Sequence, residues 1–409
     1  MSEKFPEVAL KIHRRRYGND GRREFFVTRY IVEQGLPLDA VSVPFEGFEA
    51  AEGHVCLAYP LLGKDLNGWN QDRGRPFSVE ETRRIAKKTL VFLDAFHESG
   101  AAHTDIKPDN FLYDPGTGEI RLIDFGNSER RFKRGTPVAT REYTPPEGII
   151  GGELGPAVDL WSFACTIFEL LTREFLFDPH EAAAEKYVEF SDDGDEDEAE
   201  EEASSSGEDP SEEEGPYAKG RLVAGKYRIL EELGSGHFAR VWRAKVVHPD
   251  RHLEPLSRPA GSEVSAGVSS APAVPQTSGV EAPVSLPDRA REARRNNRKR
   301  FGVTDTYDLA LNYEHLLLMQ NLLGPCPSEM AKDGIFHQIY FRPDGVLKFD
   351  PSPEPVAAEK TISARLVKSG IAKEEATQIE SLLLAMLRYE PRKRATAEQC
   401  LAHSWLSGA

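Results

Sequence analysis

Short apolar stretches bounded by turn residues mark the start of the chain, and longer stretches with helical periodicity dominate the rest. Residues 7–12, 55–59 and 119–124 are short and apolar, which predicts β-strands. Residues 78–97 have apolar positions at helical spacing and begin with Ser78 and two glutamates, which favour a helix start. Further helices are predicted over residues 159–171, 313–323, 374–388 and 396–406. The pattern predicts an α+β protein in which a small strand-rich part precedes a larger helical part.

Composition separates globular stretches from a long polar region. Residues 1–180 and 304–409 have globular composition. Residues 181–216 carry an acidic run, and residues 249–303 are rich in Ala, Pro, Ser and Val before they end in a basic cluster. Low apolar content and blocks of like charge do not offset the entropy lost on ordering, so both stretches are predicted to be disordered linkers. Between them, residues 217–248 have the composition of a short ordered island.

The formal net charge of −16 misrepresents most of the chain. The stretch from Asp192 to Glu214 holds 14 acidic residues and no basic one, and the remainder is nearly neutral. This balance is not that of a general nucleic-acid binder, so no direct nucleic-acid partner is expected. The acidic run is interpreted as a solvated linker or as an autoinhibitor of a site for basic substrates. The basic cluster, residues 289–300, is a nuclear-import signal or a soluble tail segment.

The sequence gives no sign of membrane insertion or export. No stretch approaches the ~18–20 consecutive apolar residues of a membrane span, and residues 1–7 lack the apolar segment of a signal peptide. The four cysteines are widely spaced and form no CxxC pair. They are interpreted as reduced, buried thiols, so we expect no membrane partner and a location in the cytoplasm, the nucleus or both.

The most specific segment is residues 103–110, HTDIKPDN, which follows the long predicted helix. The sequence Asp-Phe-Gly begins at Asp124, 19 residues after Asp105. Phosphoryl transfer needs metal ligands, positioned phosphates and a group that orients the attacking hydroxyl. Asp105 can accept or orient the hydroxyl proton, and Lys107 can neutralise the transferring phosphate. Asn110 and Asp124 carry the hard oxygen ligands that Mg²⁺ prefers.

These motifs resemble the catalytic loop and metal motif of a eukaryotic-type Ser/Thr protein kinase. The resemblance implies a bilobal protein kinase-like fold, with a small β-rich N-lobe, a larger helical C-lobe and a long, mostly disordered insert. It also implies the use of ATP and Mg²⁺. On this basis residues 1–62 are a partial N-lobe that begins at its third strand, and residues 63–180 and 304–409 are the two parts of the C-lobe.

Further segments match the same family at the nucleotide site. Lys11, in Val-Ala-Leu-Lys, resembles the strand lysine that holds the α- and β-phosphates, and Glu24 on the next helical segment is its expected partner. Residues 54–63 resemble the last strand and hinge that hold adenine. The resemblance implies that Tyr59 is the gatekeeper and that the backbone of Leu62 contacts adenine.

Other matches lie on the peptide side of the expected cleft. Thr140 stands in a segment that resembles the substrate-seating segment, and is implied to bond both catalytic side chains of residues 103–110, as in Ser/Thr-specific kinases. Glu147 is expected to form a buried ion pair with Arg394. Asp159 is expected to brace the backbone of the catalytic loop.

The subgroup is also indicated. Residues 103–110 are similar to the catalytic loop of the SR-protein and LAMMER kinases, and residues 314–325 are similar to the helix that names the LAMMER group. Both groups phosphorylate Ser in Arg-rich segments, so the implied partners are Arg/Ser-rich protein substrates. Thr104 replaces an arginine that normally binds an activation-loop phosphate, and we therefore expect activity without loop phosphorylation.

One expected element is out of place. A kinase N-lobe has a glycine-rich hairpin just before the strand lysine, and here the strand–Gly-rich turn–strand pattern occurs instead at residues 227–242. Three interpretations are open. The hairpin folds back and completes a permuted N-lobe, in which Gly234, Gly236 and Val241 cover the nucleotide; it is the vestige of a duplicated kinase start; or the order of segments is an artefact of how the sequence was deduced.

The sequence therefore predicts an ATP-dependent protein serine/threonine kinase. The rival hypothesis is a catalytically impaired, kinase-like scaffold that binds basic partner proteins. The presence of every catalytic polar residue argues against the scaffold, and the displaced hairpin argues for it. The oligomeric state stays open.

Overall fold

The computed structural model describes residues 7–50, 53–136, 138–187, 217–236, 238–257, 306–348 and 360–407. The strands are β1 (Glu7–His13), β2 (Glu46–Glu49), β3 (Val55–Pro60), β4 (Lys64–Asp65), β5 (Phe111–Asp114), β6 (Glu119–Leu122), β7 (Leu222–Val223), β8 (Tyr227–Ser235) and β9 (Ala239–Val246). The helices are α1 (Gly18–Glu33), α2 (Leu66–Arg73), α3 (Val79–Glu98), α4 (Pro146–Ile150), α5 (Ala157–Thr172), α6 (Pro179–Tyr187), α7 (Thr306–Leu323), α8 (Ser328–Asp333), α9 (His337–Tyr340), α10 (Ile362–Lys368), α11 (Lys373–Met386), α12 (Ala397–Leu401) and α13 (Ser404–Ser407).

A six-stranded sheet with the order β2-β3-β1-β9-β8-β7 forms the first lobe. Strand β1 pairs antiparallel with β9 along the whole length of β1, from Glu7 opposite Lys245 to His13 opposite Ala239. On its other side β1 pairs antiparallel with β3. The central part of the sheet therefore joins two remote parts of the chain, and this is the pairing that the permuted interpretation of the hairpin requires.

The sheet curls until its two ends meet. The ring of Tyr227 in β8 stacks on that of Phe48 in β2, with centroids 5.6 Å apart. Glu46 in β2 accepts hydrogen bonds from Lys226 and from the Tyr227 hydroxyl. Apolar residues on one face of the inner strands are buried beneath this seam, as the strand period of two requires. They include Val8, Leu10, Ile12, Ile229, Trp242 and Ala244.

The second lobe is helical and packs around α5. Every residue of α5 from Val158 to Thr172 is buried, which fits its strongly apolar sequence. Helix α3 lies against it and begins with a capping box, in which Ser78 and Glu81 satisfy each other's backbone N–H groups. The helix predicted over residues 78–97 is thereby confirmed within one residue at each end.

Residues 61–63 connect the lobes and lead into a small sheet of β4, β5 and β6. Gly63 is required there because a Cβ at this position would lie 2.3 Å from the carbonyl oxygen of Tyr113 in β5. The tight approach fixes where the connection passes the C-lobe. None of the helices in the described ranges is long and apolar enough to cross a membrane.

Several predicted elements have other bounds in the structure. The helix predicted over 313–323 begins already at Thr306, and the one predicted over 374–388 ends at Met386. The strand predicted over 119–124 stops at Leu122, because Asp124 has a left-handed backbone with φ 62°. The single helix predicted over 396–406 is two short helices, α12 and α13, and the turn between them lets Trp405 pack in the core.

Both predicted linkers also begin too early. The acidic linker was placed at 181–216, but α6 continues to Tyr187, since Asp178 caps its first turn and the following alanines favour a helix. The second linker was placed at 249–303, but residues 249–257 run along the first lobe and bury Leu256. The remaining parts, 188–216 and 258–303, lie outside the described residues.

Candidate active site

The predicted lysine and its carboxylate partner form an ion pair between β1 and α1. Lys11 Nζ lies 2.7 Å from Glu24 Oε2 and 2.9 Å from Asp124 Oδ1. One ammonium thus connects the sheet, the helix and the Asp-Phe-Gly segment. The sequence predicted the partner of Lys11 but not this second contact.

Electrostatics hold Lys11 and Glu24 in their charged forms. Burial alone would raise the pKa of Glu24, but the charge of Lys11 and hydrogen bonds from His13 and Lys11 outweigh it and bring the pKa to about 2. Burial acts to lower the pKa of Lys11, and the two carboxylates reverse this and raise it above its ordinary value. The pair is therefore ionised throughout the physiological range.

Tyr59, the predicted gatekeeper, also contacts this pair. It is buried at the end of β3, and its hydroxyl donates a 2.6 Å hydrogen bond to Glu24 Oε1. Both carboxylate oxygens of Glu24 are thereby engaged. Burial, followed by the nearby charge of Glu24, raises the pKa of Tyr59 well above its ordinary value, so the phenol stays a donor. No sequence signal pointed to this hydrogen bond.

Helix α1 is also tied to the segment after Asp124. Arg23 donates to the carbonyl of Ser128 at 2.6 Å and to Glu129 Oε2 at 2.8 Å. Because Arg23 is the neighbour of Glu24, these contacts couple the helix that carries Glu24 to the C-lobe segment that carries Asp124. Sequence reasoning missed Arg23, which looks like any other surface cation in the sequence.

The catalytic-loop residues converge as the resemblance implied. Asp105 Oδ1 accepts hydrogen bonds from the Thr140 hydroxyl at 2.9 Å and from its backbone N–H at 3.0 Å. Lys107 Nζ donates to Thr140 Oγ1 at 2.6 Å and lies 3.3 Å from Asp105 Oδ2. Asn110 Nδ2 donates to the backbone carbonyl and the carboxylate of Asp105, which leaves the amide oxygen of Asn110 for other ligands.

Asp159 holds the loop backbone, as predicted. Its two oxygens accept the backbone N–H groups of His103 and Thr104, each at 2.8 Å, and His97 lies 2.9 Å from Oδ2. Thr104 has a positive φ of 68°, an uncommon conformation for a β-branched residue. Its hydroxyl donates to the carbonyl of Asn127 at 2.8 Å, so the side chain that replaces the expected arginine serves the loop itself.

Phe125 anchors the Asp-Phe-Gly segment beneath the cleft. It is fully buried, and its ring meets those of Phe92, Phe96 and His103 with centroids 4.9–6.0 Å apart. Asp124 itself remains about one-third exposed, at 35%. The backbone N–H of Ile123 donates to the carbonyl of Asn110 at 2.9 Å, which keeps the two predicted metal ligands on adjacent backbone.

The hairpin places its predicted residues beside Lys11. Val241 is the cross-strand partner of Lys11 in the β1–β9 pair and of Gly234 in the β8–β9 pair. Directly opposite residues in antiparallel strands share a face, so all three lie in one row on the face of Lys11. Gly236 forms the turn by donating to the carbonyl of Ala239 at 2.9 Å.

Leu62, the predicted adenine contact, lies half-buried in the connection between the lobes, two residues after the end of β3. Its position in the chain places it between Tyr59 and the C-lobe. The sequence analysis identified this connection from the resemblance of residues 54–63 to the last strand and hinge of a kinase N-lobe.

The peptide side of the site is braced by the last third of the chain. Arg394 makes a bidentate pair with Glu147, at 2.7 and 2.8 Å, and both are almost fully buried, as predicted. Arg141, next to Thr140, bonds to Asp308 and Asn312 in α7 at 2.5 and 2.7 Å. The Arg141 contacts had no signal in the sequence.

A carboxylate cluster lies near the catalytic loop. Glu169 is buried in α5 and accepts a 2.5 Å hydrogen bond from the Tyr143 hydroxyl. Burial raises the pKa of Glu169 to about 7; the Tyr143 hydrogen bond opposes this, and the charges of Asp109 and Glu142 add to it. We call Asp109, Glu142 and Glu169 the carboxylate cluster; its members are close enough to interact electrostatically, and Asp109 belongs to residues 103–110.

The donor set fits a nucleotide with a magnesium ion. The Asn110 amide oxygen and the Asp124 carboxylate are hard oxygen donors, and Mg²⁺ in such sites takes its other ligands from water and substrate phosphates. Lys11 supplies a fixed positive charge. A Cβ at Gly234 would have no other heavy atom within 4 Å, so the backbone of the hairpin is open to a ligand at this point.

Comparison with known proteins identifies the class. Residues 32–212 match the model of the protein kinase domain family. The match covers less than half of the chain, and it begins within α1. Together with the two lobes and the arrangement of Lys11, Glu24 and Asp124, it shows that the described residues form the bilobal α+β fold of a protein kinase domain.

The individual relatives that the chain resembles are also named as kinases. The chain is 32% identical over 175 residues to dual specificity tyrosine-phosphorylation-regulated kinase 3 of Homo sapiens, and equally to that of Macaca fascicularis. It is 31% identical over 175 residues to a putative homolog of that kinase in Drosophila melanogaster. Each match covers 42% of this chain. It covers 30% of the Homo sapiens protein, 31% of the Macaca fascicularis protein and 21% of the Drosophila melanogaster protein, so the chain spans less than a third of the length of the curated relatives it matches. They support a protein kinase of the eukaryotic type.

Proposed function

We propose that this protein is a MgATP-dependent protein serine/threonine kinase. The observation that carries the proposal is the pair of linked clusters in one cleft. Lys11, Glu24 and Asp124 form the first, and Asp105, Lys107, Thr140 and Asn110 form the second. Each element that phosphoryl transfer requires is present within them.

Each side chain has a role that follows from its contacts. MgATP supplies the phosphoryl group. Asp105 accepts the proton of the substrate hydroxyl, since its carboxylate is held at a fixed orientation by Thr140 and Asn110. Lys107 stabilises the negative charge that develops on the transferring group. Lys11, held by Glu24, binds the phosphates, and Asn110 with Asp124 binds the magnesium ion.

The preference for Ser or Thr rests on Thr140. Its hydroxyl bridges Asp105 and Lys107, and its backbone N–H also bonds Asp105. The substrate-seating segment therefore lies close to the base, which suits a short hydroxyl side chain better than a phenol.

The finer proposal is an SR-protein or LAMMER type of kinase that acts on Arg-rich segments. Its support is the carboxylate cluster, Asp109, Glu142 and Glu169, together with the resemblance of residues 103–110. Burial is the main cause of the raised pKa of Glu169, and the charges of Asp109 and Glu142 add to it; a guanidinium near Asp109 and Glu142 would offset that added repulsion. The Thr104 hydroxyl, at the position of the expected arginine, donates to the backbone carbonyl of Asn127 and offers no guanidinium to a phosphate. Activity is therefore expected without activation-loop phosphorylation.

The hairpin is proposed as the nucleotide cover. Its support is the row formed by Lys11, Val241 and Gly234 and the open space above Gly234. Backbone N–H groups in a glycine-rich turn can approach phosphates closely. The insert then supplies a part of the site that the first 180 residues lack.

The experiment measures phosphate transfer by the purified full chain with MgATP. The substrates are an Arg/Ser repeat peptide and a matched peptide in which every Arg is Glu. We expect transfer to the Arg/Ser peptide and no transfer to the Glu-containing peptide. We also expect that Asp105→Asn abolishes transfer to the Arg/Ser peptide. The kinase-like scaffold, the alternative function, predicts binding of the Arg/Ser peptide without MgATP binding or transfer, and that result would overturn the proposal.

A further inference from the structure

The chain after the hairpin crosses the first lobe to its opposite edge. Residues 251–257, which we call the strap, are separated from the end of β9 by four residues and reach β2, the last strand on the other side of β1 and β3. Pro255 forms an antiparallel bridge with Phe48, and the backbone N–H of Leu256 donates to the carbonyl of Gly47 at 3.3 Å. The strap therefore occupies the outer edge of β2.

The strap also contacts the helix that carries Glu24. Leu256 is 8% exposed and packs in one cluster with Phe25 of α1 and with Val55, Leu57 and Tyr59 of β3. Within residues 248–257 it is the one buried residue. The guanidinium of Arg22, also in α1, donates to the carbonyl of Ser257 at 3.4 Å and to Glu49 in β2.

These contacts lie one residue from the ion pair. Phe25 follows Glu24, and the Tyr59 hydroxyl bonds Glu24 directly. At the same point α1 lies close to β2, since a Cβ on Gly47 would come within 2.6 Å of the Phe25 ring. Leu256 thus shares one buried cluster with Phe25, the chain neighbour of Glu24, and with Tyr59, whose hydroxyl bonds the Glu24 carboxylate. Core packing of this kind tolerates little displacement.

We propose that the strap holds α1 in the position that brings Glu24 to Lys11, and that Leu256 is a positioning residue for phosphate binding. The inference rests on the proposed kinase function and adds a regulation to it. The same insert then contributes twice, through the hairpin over the nucleotide and through the strap against α1. An inactive arrangement would follow if the strap were displaced, because α1 would lose the packing of Leu256.

The test compares two truncations in the strap of the full chain. Leu256→Ala removes the contact with α1. Leu253→Ala is the matched control, since Leu253 packs against the other cluster of the lobe, around Tyr227 and Trp242, and not against α1. Hydrogen exchange of the backbone amides of 18–33 reports the stability of α1, and steady-state kinetics report kcat and the KM for MgATP.

We expect faster exchange over 18–33 in Leu256→Ala and unchanged exchange there in Leu253→Ala. We also expect kcat/KM for MgATP to fall by about 10- to 100-fold in Leu256→Ala, because a displaced positioning group costs this much. The KM for the peptide should not change. Leu256→Met, which restores the volume, should recover both readouts.

The outcomes separate the strap from the proposed function. Equal exchange over 18–33 in Leu256→Ala and the unaltered chain would overturn the inference, whether or not the chain transfers phosphate. Equal losses in Leu253→Ala and Leu256→Ala would also overturn it, since the effect would then come from general destabilisation of the lobe. Absence of transfer by the unaltered chain would count against the proposed function alone, and the exchange result would still decide on the strap.

Discussion

The catalytic loop and the sheet of the first lobe are assembled in different ways. The loop residues Asp105, Lys107 and Asn110 lie within a few positions of one another, and hydrogen bonds among them and with Thr140 fix their geometry. The sheet instead depends on β1 and β9, whose contacting residues Glu7 and Arg243 are 236 positions apart. The geometry of the catalytic loop is therefore specified mainly by residues close together in the chain. The pairing of β1 with β9 is specified only when the whole lobe folds.

The difference shows how a distant segment can complete a sheet. The entropy of closing a loop grows slowly with its length, by about 0.6 kcal/mol for each doubling. Without β9, the edge of β1 would expose unpaired N–H and C=O groups. A long insert is therefore a small obstacle to pairing, and the exposed edge favours it.

The largest expected effect is at Asp124, the proposed metal ligand. Asp124→Ala removes a proposed oxygen ligand of Mg²⁺ and a partner of Lys11, so kcat/KM should fall by about 10³-fold or more. Phosphate transfer to the Arg/Ser peptide is the measurement. Asp72→Ala, which removes an exposed partner of Lys64, is the control and should retain full activity. Transfer at the unaltered rate in Asp124→Ala would contradict the role of Asp124.

The buried pair Glu147–Arg394 tests how the two parts of the C-lobe depend on each other. Arg394→Met strands the Glu147 carboxylate in the core, and the free energy of unfolding should fall by about 3–5 kcal/mol. Chemical denaturation measures this. The control is Arg392→Met, whose partner Glu153 is exposed, and its effect should stay below about 1 kcal/mol. Equal effects of both substitutions would contradict the account.

A pH series sharpens the description of the carboxylate cluster. The pKa of Glu169 is raised to about 7, so the folded protein retains a proton that the unfolded chain has lost. The resulting stabilisation is complete below the ordinary glutamate pKa and is lost as the pH rises through about 7. Glu169→Gln keeps the group neutral.

The variant and the unaltered chain should therefore be equally stable near pH 5. At pH 8.5 the variant should be more stable, by at most about 3 kcal/mol. Thermal unfolding at both pH values is the measurement. A stability difference that does not vary with pH would exclude titration of Glu169 in this range.

A smaller effect is expected at the seam of the sheet. Tyr227→Phe removes the hydroxyl that bonds Glu46 and leaves the ring stacked on Phe48, so about 1–2 kcal/mol of stability should be lost. The loss should appear as faster hydrogen exchange in β8 and β9 with little change in the C-lobe. Uniform exchange changes in both lobes would show that the seam is not a local feature.

The predictability of the site follows the same division. Asp105, Lys107 and Asn110 were predicted because their motif spacing is short and its chemistry is specific, and Thr140 was predicted because its segment resembles the family's substrate-seating segment. The pairing of Glu147 with Arg394 is distant, but a family motif marks both ends. The contacts of Tyr59 with Glu24 and of Arg23 with Ser128 were not predicted, because they depend on how α1 lies against the sheet.

Element boundaries were predicted less well where tertiary structure decides them. The helix α6 extends into the stretch assigned to the acidic linker, since local helix propensity continues past the composition change. Residues 249–257 are polar apart from a few positions, and the burial of Leu256 is determined by the surface it meets. Composition alone does not report such docking.

The central claim is that the inserted hairpin lies over the nucleotide, and Gly234→Asp tests it most directly. A Cβ at Gly234 meets no other heavy atom within 4 Å, and the same holds at Gly155 in the C-lobe, so Gly155→Asp is a matched control. We predict that Gly234→Asp unfolds at the temperature of the unaltered chain, while its carboxylate repels the phosphates and raises the Kd for MgATP by about 10-fold or more. Isothermal titration calorimetry with MgATP measures this Kd for the unaltered chain and for both variants. An identical Kd in Gly234→Asp and the unaltered chain would contradict the account.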